Sequence, residues 1–374
     1  MPNTTSDVTI IGAGIAGISA AFHLAEAGIC DVTVLEEEHG PGMKSSGRSG
    51  SMLMKSRENM PKIAMSLYSY DWYMNFPDRF DERLDFTRTG FLSLVDEDTA
   101  DRLRREHALR LSMGVPSELL TPEQISDVCP GIQPEGLEFG VICEDDGVIN
   151  PSQIMGAMLH SARQKGVRFL FGDSVHASWK DASGRFVIDS DGGRTTSHTL
   201  VIAGGTNARK MGLWFDEELP ILNRRRSLFF GHCPSANFQG GPMVEEASRE
   251  WYYRGLGGST VMLGMGLEPA DVQLDEPNEP VLAELRAALT ARAPDLAGFT
   301  VESGVAGIRQ LTPDILPIVG PARKTENLHF SCGWGGEGVM HAPAGGVMLV
   351  GNILGTPPAE LPWRDVLPVR FGSD

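Results

Sequence analysis

An apolar strand, three spaced glycines, an alanine-rich helix, a second strand and a cluster of acids follow one another from Val8 to Glu38, VTIIGAGIAGISAAFHLAEAGICDVTVLEEE. That order leaves little freedom of fold. Gly12 permits a tight turn, Gly14 lets the backbone around Ile15 and Ala16 approach a pyrophosphate, and Gly17 lets helix and strand pack closely. The phosphates then sit at the positive helix N-terminus. Glu36, beside Glu37 at the end of the second strand and roughly 20 residues past the glycines, can accept both hydroxyls of an adenosine ribose. A glycine-rich turn alone could be only a turn, but the full strand, helix, strand and acid context predicts dinucleotide binding.

The remaining composition narrows the class. A chain of 374 residues with 41% hydrophobic side chains predicts two to three domains around sizeable cores. Its 44 glycines and 24 prolines stay short of the roughly one-quarter share of a low-complexity chain. The formal charge of −17 argues against nucleic acid and anionic membrane surfaces as partners, and serves solubility at the least. Five cysteines, odd in number and without metal-ligand spacing, fit a reducing compartment and predict no metal site. The start lacks the pattern of a signal peptide, and no apolar run of about 20 residues predicts a transmembrane segment. The expected location is cytoplasmic.

Further along, 58–80 reads as one helix with apolar positions at Met60, Ile63, Ala64, Leu67, Tyr70 and Tyr73. Phe91 to Val95 reads as a strand, Thr99 to Met113 as a helix, and Thr121 as the cap of a short helix. Ser152 to Lys165 reads as a helix, followed by strands at Val167 to Phe171, Phe186 to Ser190 and Thr199 to Ala203. The last strand ends on Gly204 and Gly205, so distant parts of the chain embrace one ligand. Antiparallel strands are predicted at Phe229 to His232, Glu250 to Arg254 and Thr260 to Met265, then a helix from Glu279 to Ala293. After a strand at Leu328 to Gly333, the glycines Gly335, Gly336 and Gly338 open a helix that runs to about Leu354, suited to a partial negative charge on a cofactor ring.

These motifs carry a resemblance. The fingerprint, Ser45-Ser46-Gly47-Arg48-Ser49, the Asp146-Gly147 turn, VIAGG, Gly307-Ile308-Arg309 before Thr312-Pro313-Asp314, Pro317 to Pro321 and the glycine loop resemble the FAD-dependent D-amino-acid oxidase superfamily. That group includes glycine oxidase, sarcosine oxidase and D-arginine dehydrogenase. The resemblance implies an α/β fold: a discontinuous Rossmann-type FAD domain (1–85, 145–215 and 306–374) with an inserted α+β substrate domain on a mainly antiparallel sheet (86–144 and 216–305). It further implies oxidation of a C–N bond by hydride transfer to flavin N5, giving an imine that water hydrolyses. The cofactor carries that chemistry. Glu337, Val339 and Met340 join the glycine loop as FAD contacts, Ser45 to Ser49 run past flavin and pyrophosphate, and Val175 meets FAD through its backbone. Residues 306–310, Ala-Gly-Ile-Arg-Gln, hold no cysteine, so FAD is expected to be noncovalent.

For the substrate, the resemblance points to Arg226 and Arg309 as a carboxylate clamp, because a guanidinium offers a planar bidentate fork. Tyr252 would hydrogen-bond the carboxylate while covering the flavin, and Gly336 would lie at the reacting centre. Taken without the resemblance, Arg226 reads first as a surface ion pair, Arg309 as a structural salt bridge and Tyr252 as core. Arg48 either stabilises reduced flavin or merely neutralises phosphate. D-arginine dehydrogenase carries a glutamate near the place of Gly90 or Phe91; here no acid stands there and Met52, Leu53 and Met54 predict a more apolar pocket, in which a hydrophobic or N-substituted amino acid fits better than arginine unless another acid reaches in. The expected partners are a small amino acid or amine with a carboxylate and an electron acceptor, O2 or a carrier such as a quinone. A primary amino acid leads. An N-substituted one is the alternative, as is a role as a flavoprotein subunit of a multi-chain complex, and the chain is expected to form a homo-oligomer or join such a complex.

Overall fold

Five parallel strands form the centre of the first sheet in a computed structural model that describes residues 4–238, 240–269 and 278–372. Thr4–Ile11 lies between Val32–Glu36 and Gly193–Ile202, and Arg168–Phe171 and Leu328–Cys332 extend the row outward. Val8, Ile10 and Ile11 are buried, as a parallel strand covered on both faces requires. An antiparallel hairpin, Val175–Lys180 with Phe186–Ser190, and the strand Ile318–Pro321 complete eight strands.

Helix Ile15–Glu26 packs on Gly338–Leu354 and Pro151–Gln164. The first contact is close because a Cβ on Gly346 would lie 2.3 Å from His23 Nδ1 and 2.5 Å from Ser19 Oγ. Ser19 Oγ uses that proximity to donate to the Ala342 carbonyl at 2.6 Å.

The second sheet has nine strands, with every pairing antiparallel except that of Met243–Glu246 with Phe91–Val95. Its side chains alternate between two cores. Leu92, Leu94, Phe229, Val244, Trp251 and Tyr253 pack with Leu282, Leu285 and Leu289 of helix Glu279–Arg292. Phe91, Leu228, Met243, Tyr252 and Met262 point the other way, into the core shared with the first sheet. This face roofs a cavity. A third, small sheet, Met52–Leu53 with Gly147–Ile149 and Phe86–Arg88, closes one side.

Beneath the second sheet, Glu246 is almost fully buried and accepts from Trp251 Nε1 at 2.8 Å and from Arg292 Nη2 at 3.0 Å. Glu246→Ala leaves the Arg292 charge buried without its carboxylate, so it should cost about 3–5 kcal/mol in urea unfolding. A loss below about 1 kcal/mol would show that water or relaxation replaces the pair.

Several elements differ from the sequence expectation. The helix read over 58–80 is two, Met60–Met74 and Phe76–Phe80, because Pro77 cannot sit in a helix interior and Asn75 supplies the break. Met60 is exposed at its start rather than packed. Thr300–Leu311 is a long strand that pairs throughout with Leu222–His232 and runs across position 306. Its half-exposed, glycine-interrupted sequence hides the alternation. Met243–Glu246 also escaped notice, being short and holding two glutamates, which are poor strand formers.

Candidate active site

The carboxyl ends of Thr4–Ile11 and Gly193–Ile202 open into a cavity of about 710 Å³, within the roughly 300–1,000 Å³ range of ligand sites. Gly12 turns the chain there with φ +105°, and a Cβ on it would lie 2.6 Å from the Ala203 carbonyl oxygen. Gly17 lies behind the cavity wall, where a Cβ would meet the Gly12 carbonyl oxygen at 1.9 Å. Gly14 is different: only Ser46 Oγ, at 3.3 Å, is near its Cβ position, and it lines the cavity with Ile15 and Ala16. The glycines thus make a cradle that side chains would fill.

Glu36 also lines the cavity. Its Oε2 accepts from the Ala13 amide at 2.5 Å and its Oε1 from the Glu38 amide at 3.0 Å. Burial pushes the carboxyl up, against those two amides. A carboxylate has about four lone-pair sites, so acceptor capacity remains for a ribose. Glu37 lies beside it, paired with Lys44.

The segment Ser45 to Ser49 bridges the two sheets. Ser46 Oγ accepts from the Ile15 amide at 3.0 Å, Ser45 Oγ donates to the Ile308 carbonyl at 2.8 Å, and Arg48 Nη1 donates to the Ala306 carbonyl at 3.3 Å. Ser49 Oγ accepts from the Ser51 amide at 3.0 Å. Gly47 is exposed, its amide donating to the Gly42 carbonyl at 2.7 Å, and does not line the cavity. Val175, Gly204 and Gly205 line its far end.

On the other side lies the glycine loop. Gly335 is held outside the cavity by its amide, which donates to the Gln310 carbonyl at 3.0 Å. Gly336, Glu337, Gly338, Val339 and Met340 line the cavity, and helix Gly338–Leu354 begins without a side-chain cap. The Glu337 side chain is committed to protein, paired with Arg57 and with Lys62 Nζ at 2.9 Å. Burial depresses the pKa of neighbouring His341, and its Nε2 contacts Ser66 Oγ at 2.8 Å, a structural role.

The roof supplies Arg226, Arg309 and Tyr252. Arg226 Nε donates to the Gly266 carbonyl at 2.9 Å, and its guanidinium lies 5.1 Å from the centre of the Tyr252 ring. Arg225, one residue away, points to the opposite face and pairs with Glu268 at 2.6 Å. Arg309 lies over Gly336, whose φ of +89° favours glycine and where a Cβ would come within 2.6 Å of Nε. Burial, with the adjacent Arg226 charge, lowers the Arg309 guanidinium to about 10, which still leaves it protonated at neutral pH. Among the described residues neither arginine has a carboxylate within ion-pair distance, unlike Arg57, Arg225 and Arg292.

The expectation of a more apolar pocket needs correction. Met52 and Met54 line the cavity, but Leu53 points into the core. Glu245, Arg57 and Arg110, which the sequence reading did not single out, also line it. Glu245 could have been found from the alternation of MVEE, which turns Met243 and Glu245 one way and Val244 and Glu246 the other.

No helix among the described residues is long and apolar enough to cross a membrane. Comparison with known proteins finds 25% identity to FAD-dependent oxidoreductase domain-containing protein 1 of Bos taurus, over 92% of this chain and 80% of that protein. The fold matches L-proline dehydrogenase from P. horikoshii with a TM-score of 0.89, at 22% identity over 99% of this chain and 98% of that one. Glycine oxidase from Geobacillus kaustophilus matches with a TM-score of 0.86, at 20% identity over 99% and 100%. The family model described as DAO, FAD dependent oxidoreductase, spans residues 7–351. With the glycine cradle and the pinned Glu36 fitting a dinucleotide, this chain belongs to the DAO family of FAD-dependent oxidoreductases.

Proposed function

We propose that this FAD-dependent oxidoreductase oxidises the C–N bond of an amino acid or amine that carries a carboxylate. One observation carries the reading: Arg226 and Arg309, on paired strands, both open into the cavity beside Tyr252 without a carboxylate of their own. A half-buried guanidinium without a counter-charge is disfavoured, so such a pair is retained where an anion completes it. Two structural neighbours bear the names of amino acids that they act on, a secondary amine in L-proline and a primary one in glycine.

In this reading Arg226 and Arg309 hold the carboxylate by charge-assisted hydrogen bonds, and the Tyr252 hydroxyl fixes its orientation. The roof keeps water from the reacting carbon. Once its nitrogen has released a proton to solvent, the amino acid loses a hydride from that carbon while the nitrogen lone pair closes the C=N bond, and water then gives the oxo acid and ammonia or amine. Bound FAD supplies the hydride acceptor at N5. Residues 1–85, 145–215 and 306–374 hold the cofactor and 86–144 and 216–305 the substrate, with 306–311 serving both. FAD is held noncovalently: Cys332 lines the cavity, but burial pushes its thiol up to about 12, leaving no thiolate to attach.

The test is anaerobic reduction of the purified yellow protein by D-, L- and N-methyl amino acids, followed by air and peroxide detection. Bleaching by primary amino acids supports the leading reaction, and faster bleaching by N-methyl ones supports dealkylation, for which Met52 and Met54 provide an apolar neighbour. Peroxide on readmission of air identifies O2 as acceptor, and its absence a carrier. No bleaching by any of them overturns the reading in favour of a flavoprotein subunit.

A further inference from the structure

Across the roof from the arginines stands a carboxylate that the reaction leaves unused. Leu228, Gly264, Tyr252, Glu245 and Ser93 are register partners in one row across five strands, so their side-chain positions share one face. Tyr252 and Glu245 both line the cavity. Glu245 accepts from Ser93 Oγ at 2.7 Å and forms no ion pair among the described residues.

The cations around it are already committed. Arg57 pairs with Glu58 at 2.9 Å and with Glu337, Lys62 pairs with Glu58 and with Glu337 at 2.9 Å, and Arg110 pairs with Glu106 at 3.2 Å. Three cations thus serve three other carboxylates, and Glu245 is a fourth with only a hydroxyl as donor. Burial pushes its carboxyl up, while Ser93 and the more distant charges of Arg57, Arg226 and Arg110 hold it down. A carboxylate so placed lacks a cation.

Distance decides which cation. The strand of Glu245 lies three places from the strand of Arg226 in the sheet, roughly 14 Å between backbones at about 4.8 Å per step. Side chains stand roughly perpendicular to a sheet, so most of that separation remains between the charged ends, more than the two bonds between an α-nitrogen and its carboxylate carbon span. We infer that Glu245 is a specificity-determining residue that selects substrates bearing a distal cationic group, of the length of a basic amino-acid side chain, in addition to the carboxylate. This rests on the amino-acid reading of the same cavity, with the carboxylate on Arg226 and Arg309.

The test uses two ligands that lack an α-amine, ε-aminocaproate and caproate, titrated calorimetrically into the FAD-loaded protein. Both carry the carboxylate and only the first a distal ammonium. The first is expected to bind at least roughly tenfold more tightly, as a hydrogen bond between two charges implies, and the gap should close in Glu245→Gln. Equal affinities for the unaltered protein, or a gap that persists in Glu245→Gln, overturn the role of Glu245 and leave the carboxylate clamp standing. Binding of neither removes the clamp, and this inference with it. The comparison on the unaltered protein needs no variant, so a folding defect cannot hide the answer.

Discussion

Arg309→Leu is expected to lower kcat/KM for a carboxylate-bearing amino acid by about 10²–10³-fold, chiefly through KM, while the protein keeps its flavin. The size follows from losing a bidentate, charge-assisted contact in a site that excludes water, about 3–4 kcal/mol. Three features make Arg309 the stronger member of the proposed clamp. It lies against Gly336, it has no protein hydrogen-bond partner among the described residues, and its charge is disfavoured by burial and by Arg226 until an anion arrives. Arg309→Lys should fall between, since the ammonium keeps the charge and loses the fork. Steady-state kinetics with one substrate, alongside the visible spectrum, checks both. A KM unchanged in Arg309→Leu would refute the carboxylate assignment.

Gly17→Val should abolish flavin binding altogether. Even the Cβ that an alanine adds would lie 1.9 Å from the Gly12 carbonyl oxygen, a backbone atom that cannot rotate away. Helix Ile15–Glu26 must then separate from the Gly12 turn, at a cost on the order of 3 kcal/mol or more, and the cradle opens. Gly156→Ala, in helix Pro151–Gln164 and away from the cavity, is the control, because its added methyl meets nothing within 4 Å. The flavin-to-protein ratio of the purified variants separates the two. A stoichiometric yellow Gly17→Val protein would show that the fingerprint tolerates a displaced helix.

The parts of the fold that were legible in sequence are those where one rule governs each residue. Gly12, Gly17 and Glu36 answer to local backbone geometry and strand position, and the structure holds Glu36 by the Glu38 amide of its own turn and the Ala13 amide of the glycine turn. The roof was less legible. Thr300–Leu311 is half-exposed and places glycines where partners come close, such as Gly307 facing the Arg48 backbone. Its strand character comes from pairing with Leu222–His232, a contact distant in sequence. Arg226 and Arg309 were singled out through resemblance alone, because an arginine in isolation has no pattern that separates a clamp from a salt bridge. Glu245 was missed because its strand is short and its neighbour Glu246 has the same side chain for an unrelated reason, the buried pair with Arg292. Helix Met60–Met74 was legible in its spacing, but its end at Asn75 depended on the single proline that follows.

The Ser45 to Ser49 segment has a thermodynamic consequence. Ser46 is tied to the first turn of the cofactor helix, while Ser45 and Arg48 are tied to the strand that carries Arg309. One short stretch of chain therefore belongs to two binding equilibria. Whatever factor cofactor occupancy contributes to the affinity for an anion on Arg309, the anion must return to the cofactor, because the two free energies close a cycle.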